Sequence, residues 1–163
     1  MGRPKSVRVK ATAESPQAQL DGFMAKHLPE VAAEARAALV RMRRLLAGAV
    51  ELVYEKYKGL VIGFRPSERA SDAAVSIVLF PRWITLGLLQ DGPKLPDPDG
   101  LLKGTGTRVR HIRLASAREL DRPAIRMLSK EGRSRVWAPI DAAARRRLAI
   151  RSVSAKQRPR RPT

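Results

Sequence analysis

The stretch ELVYEKYKGLVIGFRPSERASDAAVSIVLFPRWITLGLL, residues 51–89, decides the fold. Leu60, Ile62 and Phe64 alternate with other residues in one part of it, and Ile84, Leu86 and Leu88 do so in another. A period of two sends side chains to opposite faces of an extended chain. Strands are therefore expected at Glu51–Tyr57, Gly59–Arg65, Ala74–Phe80 and Trp83–Leu89. The polar segment Pro66–Asp72 joins the second to the third, and Pro81-Arg82 is a tight connection to the fourth. Such a succession is an antiparallel meander.

Upstream the period lengthens. Gln17–His27 carries Leu20, Phe23 and Met24 on one side and ends at Leu28-Pro29. Pro29 suits the first turn of a second helix, where its missing N–H costs nothing, and Glu30 and Glu34 sit near the positive end of the helix dipole. Val31, Ala35, Leu39 and Met42 then recur at steps of three and four, with Arg36, Arg41, Arg43 and Arg44 between them, until Gly48. Downstream, Gln90–Gly100 is a loop by its Pro, Gly and Asp content, and DPDG within it is a turn. A fifth strand is expected at Arg108–Leu114, and a last helix from an Asp121 cap through Ile125 and Leu128 to Gly132. Ala144–Arg151 reads as transiently helical, and the proline-rich, basic remainder as disordered.

The expected class is thus α+β: a two-layer sandwich with an antiparallel sheet of about five strands packed on N- and C-terminal helices. Its 163 residues suit one core domain at 17–132, between a disordered basic arm at 1–16 and a basic, mostly disordered tail at 133–163. No apolar run reaches the roughly 18 to 20 residues of a membrane span. The charged N-terminus does not resemble a signal peptide, and no cysteine is present to bridge, bind metal or attack. A cytoplasmic protein is the expectation.

Charge is the largest departure from the ordinary: 33 Lys and Arg face 15 Asp and Glu, for a net +18. Residues 130–163 hold eleven of those cations against Glu131 and Asp141, and residues 1–16 hold four against Glu14. Two thirds of the excess therefore lies in the tails. Arg3, Lys5, Arg145, Arg146, Arg147, Lys156, Arg158, Arg160 and Arg161 are the candidate phosphate contacts for non-specific DNA or RNA. With two Trp, two Tyr and three Phe in the whole chain, base stacking is poorly supplied, so any such binding is expected to be electrostatic and tolerant of sequence.

The helix pair LDGFMAKHLPEVAAEARAALVRMRRLL, the strand pair ELVYEKYKGLVIGF, the hairpin AVSIVLFPRWITLGLL and the closing LLKGTGTRVRHIRLASARELDRPAIRML resemble the YdhG-like domain family. This bacterial family has a frataxin-like two-layer fold and largely unassigned function, and the likeness covers roughly residues 20–130. The resemblance implies a binding or chaperone-like module, and in some relatives an iron chaperone with carboxylates along the first helical layer. Here Asp21, Glu30 and Glu34 are diluted by four arginines, so no cofactor is expected.

Two clusters stand out as candidate ligand sites. In Gly104, Gly106, Arg108, Arg110 and His111, glycines free backbone N–H groups to face an anion beside arginines, although the spacing is not that of a phosphate loop. Tyr54, Tyr57, Arg82 and Trp83 combine aromatics with a cation, as small-molecule and peptide grooves do, with core packing as the competing role for Trp83. Neither His27 nor His111 has a metal-like spacing or a nucleophile motif beside it. The reading is a non-enzymatic module for a small ligand, metal or protein, with a nucleic-acid accessory acting through its tails as the alternative.

Overall fold

A computed structural model describes residues 6–8, 14–69, 73–136 and 139–162. The chain is α+β. Helices α1 (Pro16–Ala25) and α2 (Pro29–Leu45) precede strands β2 (Val50–Glu55), β3 (Leu60–Arg65), β4 (Val75–Leu79), β5 (Ile84–Leu88) and β6 (Arg110–Leu114). A short 3-10 turn at Ala117–Asp121 leads into α3 (Pro123–Ser134), and β7 (Arg147–Ser154) follows. A three-residue strand β1 (Ser6–Arg8) begins the order β1-β7-β2-β3-β4-β5-β6.

From β2 to β6 each strand pairs antiparallel with the next, as short connections between successive strands favour from β2 to β5. The registers align Val53, Ile62, Ile77, Leu86 and Ile112 in one row across five strands. That row, with Leu20 and Met24 of α1, Val31, Leu39 and Met42 of α2, and Ile125 and Leu128 of α3, forms the core. The opposite row is Leu52, Gly63, Ser76, Gly87 and His111.

Local choices agree with the elements. Ser15 Oγ accepts the Ala18 N–H at the start of α1, and Pro29 occupies the first turn of α2. Gly48 takes φ +83° after α2, where a Cβ would lie 1.8 Å from the Asp141 carbonyl oxygen. Only glycine fits there. Asp121 does not cap α3: Ser116 and Glu119 form a capping box for the preceding 3-10 turn, and α3 starts at Pro123. Gly132 lies inside α3 rather than ending it, and Leu88 and Val75 pack where a side chain would be.

The tail departs most from expectation. Residues 147–154 are neither helical nor disordered; they form β7, which runs parallel to β2 and antiparallel to β1. The sheet is therefore mixed, with six strands of five to eight residues and the short β1, rather than about five antiparallel ones. Beyond β7 the chain is held on the fold. The Arg158 N–H donates to the Tyr57 carbonyl (3.1 Å), and its Nε to that of Lys58 (3.0 Å). Arg160 donates to the carbonyls of Lys56 and Tyr57, and Arg161 to those of Lys26 and Ala25. These guanidiniums satisfy carbonyls at the end of α1 and in the β2–β3 turn, which gives a low-complexity segment a fixed path.

Candidate ligand-binding cleft

Three elements converge at one end of the sheet. The first turns of α2 present Glu30 and Glu34, four residues apart and so on one helix face. Glu34 Oε2 accepts the Ala117 N–H at 2.5 Å, which ties α2 to the 3-10 turn after β6. The Phe80 N–H donates to the Trp83 carbonyl (2.9 Å) across the Pro81-Arg82 connection, and the two rings lie 5.9 Å apart and tilted. From β6, Arg113, paired in register with Thr85, lays its guanidinium over the Trp83 ring at 3.9 Å. At that distance a cation–π contact holds both groups in place.

Between these elements lies a cleft of about 580 Å³, lined by Glu30, Glu34, Arg82, Trp83 and Arg113 over Val31, Ile84, Leu114 and Ala115. To this lining α2 contributes two carboxylates, and the β4–β5 connection and β6 contribute two guanidiniums beside an indole. The lining contains no histidine, lysine or hydroxyl side chain.

The sequence placed Arg82 and Trp83 with Tyr54 and Tyr57, but the sheet separates them. Tyr54 lies in β2, three strand spacings or roughly 14 Å from β5, under Lys56 and Arg65 at 5.5 and 5.7 Å. Tyr57 sits in the β2–β3 turn, where its carbonyl receives the tail. Arg113 carries only a faint signal in the sequence. That signal is the alternation in RHIRL, which sets it on the face opposite Ile112, but its pairing with the strand that Trp83 leads into is a long-range fact.

Gly104, Gly106, Arg108, Arg110 and His111 do come together. Lys103 and His111 exchange backbone hydrogen bonds (2.9 and 3.0 Å), and Gly104, at φ +114°, packs against the His111 ring. The arginines there serve the loop: Arg110 donates to the Gly106 and Val109 carbonyls, and Arg108 to Gln90 Oε1 at 2.6 Å. Asp97 builds the preceding turn by accepting the Leu101 and Leu102 N–H groups.

Two strand carboxylates are buried on the helix side. Glu51 takes a bidentate pair from Arg43 (2.9–3.2 Å) and a longer contact from Arg146. Glu55, fully buried, pairs with Arg160, itself 5% exposed, and lies 3.8 Å from the Lys26 ammonium. His27 is buried nearby, and burial first, then the charge of Arg160, holds its pKa below the ordinary imidazole value. Of the tail cations expected to meet phosphates, Arg146, Arg147, Arg158, Arg160 and Arg161 thus contact carboxylates or carbonyls of this chain, while Arg145 and Lys156 are exposed. Arg3 and Lys5 lie outside the described residues.

Among the described residues no three of His, Asp and Glu converge as a metal ion requires, and no helix is long and apolar enough to cross a membrane. Comparison of the chain with family models, curated proteins and solved structures gives no match.

Proposed function

We propose that this chain is a YdhG-like, frataxin-like two-layer module that binds a small ligand without transforming it, in the cleft between α2 and the β5–β6 end of the sheet. The observation that carries this reading is that Glu30 and Glu34 line the same cleft as Arg82, Arg113 and Trp83. A cleft lined by both carboxylates and guanidiniums complements a zwitterion, which carries an ammonium or guanidinium and a carboxylate. Free amino acids and short peptides have that charge pattern, and about 580 Å³ lies within the usual range of ligand pockets. Glu34 is already oriented by the Ala117 N–H, and Arg113 by the indole, so both charges are held before a ligand arrives. Binding rather than catalysis is inferred because the lining offers carboxylates and guanidiniums but no side-chain nucleophile with a neighbouring base.

The test is isothermal titration calorimetry of the full chain against amino acids and dipeptides at fixed ionic strength. A charge-assisted hydrogen bond contributes about 1.5–3 kcal/mol, so Arg113→Ala and Glu30→Gln are each expected to weaken the best ligand roughly tenfold or more. Equal affinity for ligands lacking the amine or the carboxylate, or unchanged affinity in both variants, would overturn the reading.

A further inference from the structure

A second concave site lies on the helical layer, away from this cleft. Residues Arg41, Arg44 and Leu45 of α2 face Arg126 and Lys130 of α3 across a groove of about 370 Å³, whose floor includes Met42 and Leu120. Four cations therefore line its two banks. Arg41 is committed: its Nε donates to Asp121 at 3.1 Å and its guanidinium also to the Ala37 carbonyl. The side chains of Arg44, Arg126 and Lys130 have no carboxylate or hydrogen-bond partner among the described residues. A shallower depression continues past Arg126 and Lys130 to Met127 and Glu131. Both carboxylates in reach are already paired, Asp121 with Arg41 and Glu131 with Arg135 at 3.6 Å.

Three uncompensated cations around one hollow repel each other, and the cost falls when an anion occupies the space between them. Arg41 and Arg44 are three residues apart, or about 4.5 Å along α2, and Arg126 and Lys130 four apart, or about 6 Å along α3. That patch matches one phosphoryl or pyrophosphoryl group. Proteins that grip a nucleic-acid backbone through about six to ten phosphates spread those contacts along a track, whereas the groove gathers three free cations around one hollow. Guanidinium forks suit the paired oxygens of a phosphate, and the apolar floor suits the uncharged body that carries it.

We propose that the groove between α2 and α3 binds a small phosphate-bearing molecule, with Arg44, Arg126 and Lys130 on the phosphoryl oxygens and Met42, Leu45 and Leu120 under the rest. The site is separate from the α2–β5–β6 cleft and stands independently of the function proposed for it.

The experiment titrates the full chain with pyrophosphate, inorganic phosphate and phenyl phosphate by calorimetry at constant ionic strength. One saturable site is expected, with phenyl phosphate binding more tightly than inorganic phosphate. The double variant Arg126→Gln/Lys130→Gln should lose at least tenfold in affinity, and Arg44→Gln alone at least threefold. Lys94→Gln/Arg145→Gln, which removes the same net charge elsewhere, should stay within twofold, and so should Arg113→Ala. The altered side chains are exposed, and an unchanged melting temperature verifies each fold. Absence of saturable binding, equal weakening by the control pair, or loss of phosphate binding in Arg113→Ala overturns the proposal. So does a single-stranded oligonucleotide that displaces pyrophosphate with a much steeper salt dependence than pyrophosphate itself shows.

Discussion

Replacing Arg160 by alanine tests whether the segment after β7 is an integral part of the fold. The change removes the guanidinium from Glu55, which is fully buried, and its hydrogen bonds to the Lys56 and Tyr57 carbonyls. What remains near the carboxylate is the half-exposed Lys26 ammonium at 3.8 Å. Breaking a buried pair by removing one partner typically costs about 3–5 kcal/mol, because the other charge is left without compensation. Lys26 supplies part of that compensation, so about 3 kcal/mol is expected. For a chain of this size each kcal/mol moves the melting temperature by about 2–4 °C, which gives a fall of about 6–12 °C. Calorimetric melting and urea titration measure it. The double variant Arg160→Met/Glu55→Leu should recover most of the loss, since an apolar pair of similar volume avoids the desolvation of two charges. A fall below about 2 °C in Arg160→Ala, or a double variant no better than the single one, would refute the reasoning.

Three further outcomes are expected. Because the fold holds the His27 pKa below its unfolded value near 6.5, the unfolded chain takes up the proton first as the pH drops. The stability from neutral His27 is complete above about pH 6.5 and is lost as the pH falls through the lower folded pKa; melting at pH 5 and 7.5 should show this, and His27→Gln should flatten the slope. Gly48→Ala meets both a left-handed backbone, at about 1–2 kcal/mol, and the Asp141 carbonyl, so urea titration should show a loss clearly above that figure. Gly100→Ala, at φ +65° with nothing within 4 Å of its Cβ, should show the backbone cost alone, and equal losses in the two variants would contradict the close approach at Gly48.

The meander was legible because Leu60, Ile62 and Phe64, or Ile84, Leu86 and Leu88, repeat with a period that only a strand satisfies. Its strand ends shift by one or two residues. Strand β7 was hidden by an irregularity in its own period. Leu148 and Ile150 lie opposite Glu51 and Val53, but the register slips so that Val153, not Ser152, meets Glu55. Arg151 is thus an extra residue in the ladder, and RLAIRSVS shows neither a clean alternation nor enough apolar residues to outweigh its arginines. The cleft was half legible. The sequence shows Glu30 and Glu34 as carboxylates of the helical layer and Arg82 and Trp83 as groove-type residues, yet their meeting depends on how α2 docks over the sheet. Local sequence patterns do not encode that distance. Charge alone attracts the tail arginines to polyanions and buried carboxylates alike, so it does not separate a solvated tail from a docked one.

The parallel pairing of β7 with β2 has a consequence for how the molecule reaches its native state. Val50 and its partner Arg147 are almost a hundred residues apart in the chain, whereas the hairpins from β2 to β5 join near neighbours. Contacts of such long range form slowly, because the intervening chain must first be ordered. On that ground β7 is expected to dock after the meander has formed, leaving the outer edge of Val50–Glu55 bare until it does. A bare edge offers its amides to any other extended segment. Renaturation yield is accordingly expected to fall with protein concentration, and an added peptide spanning residues 145–162 should protect it by occupying the edge in trans.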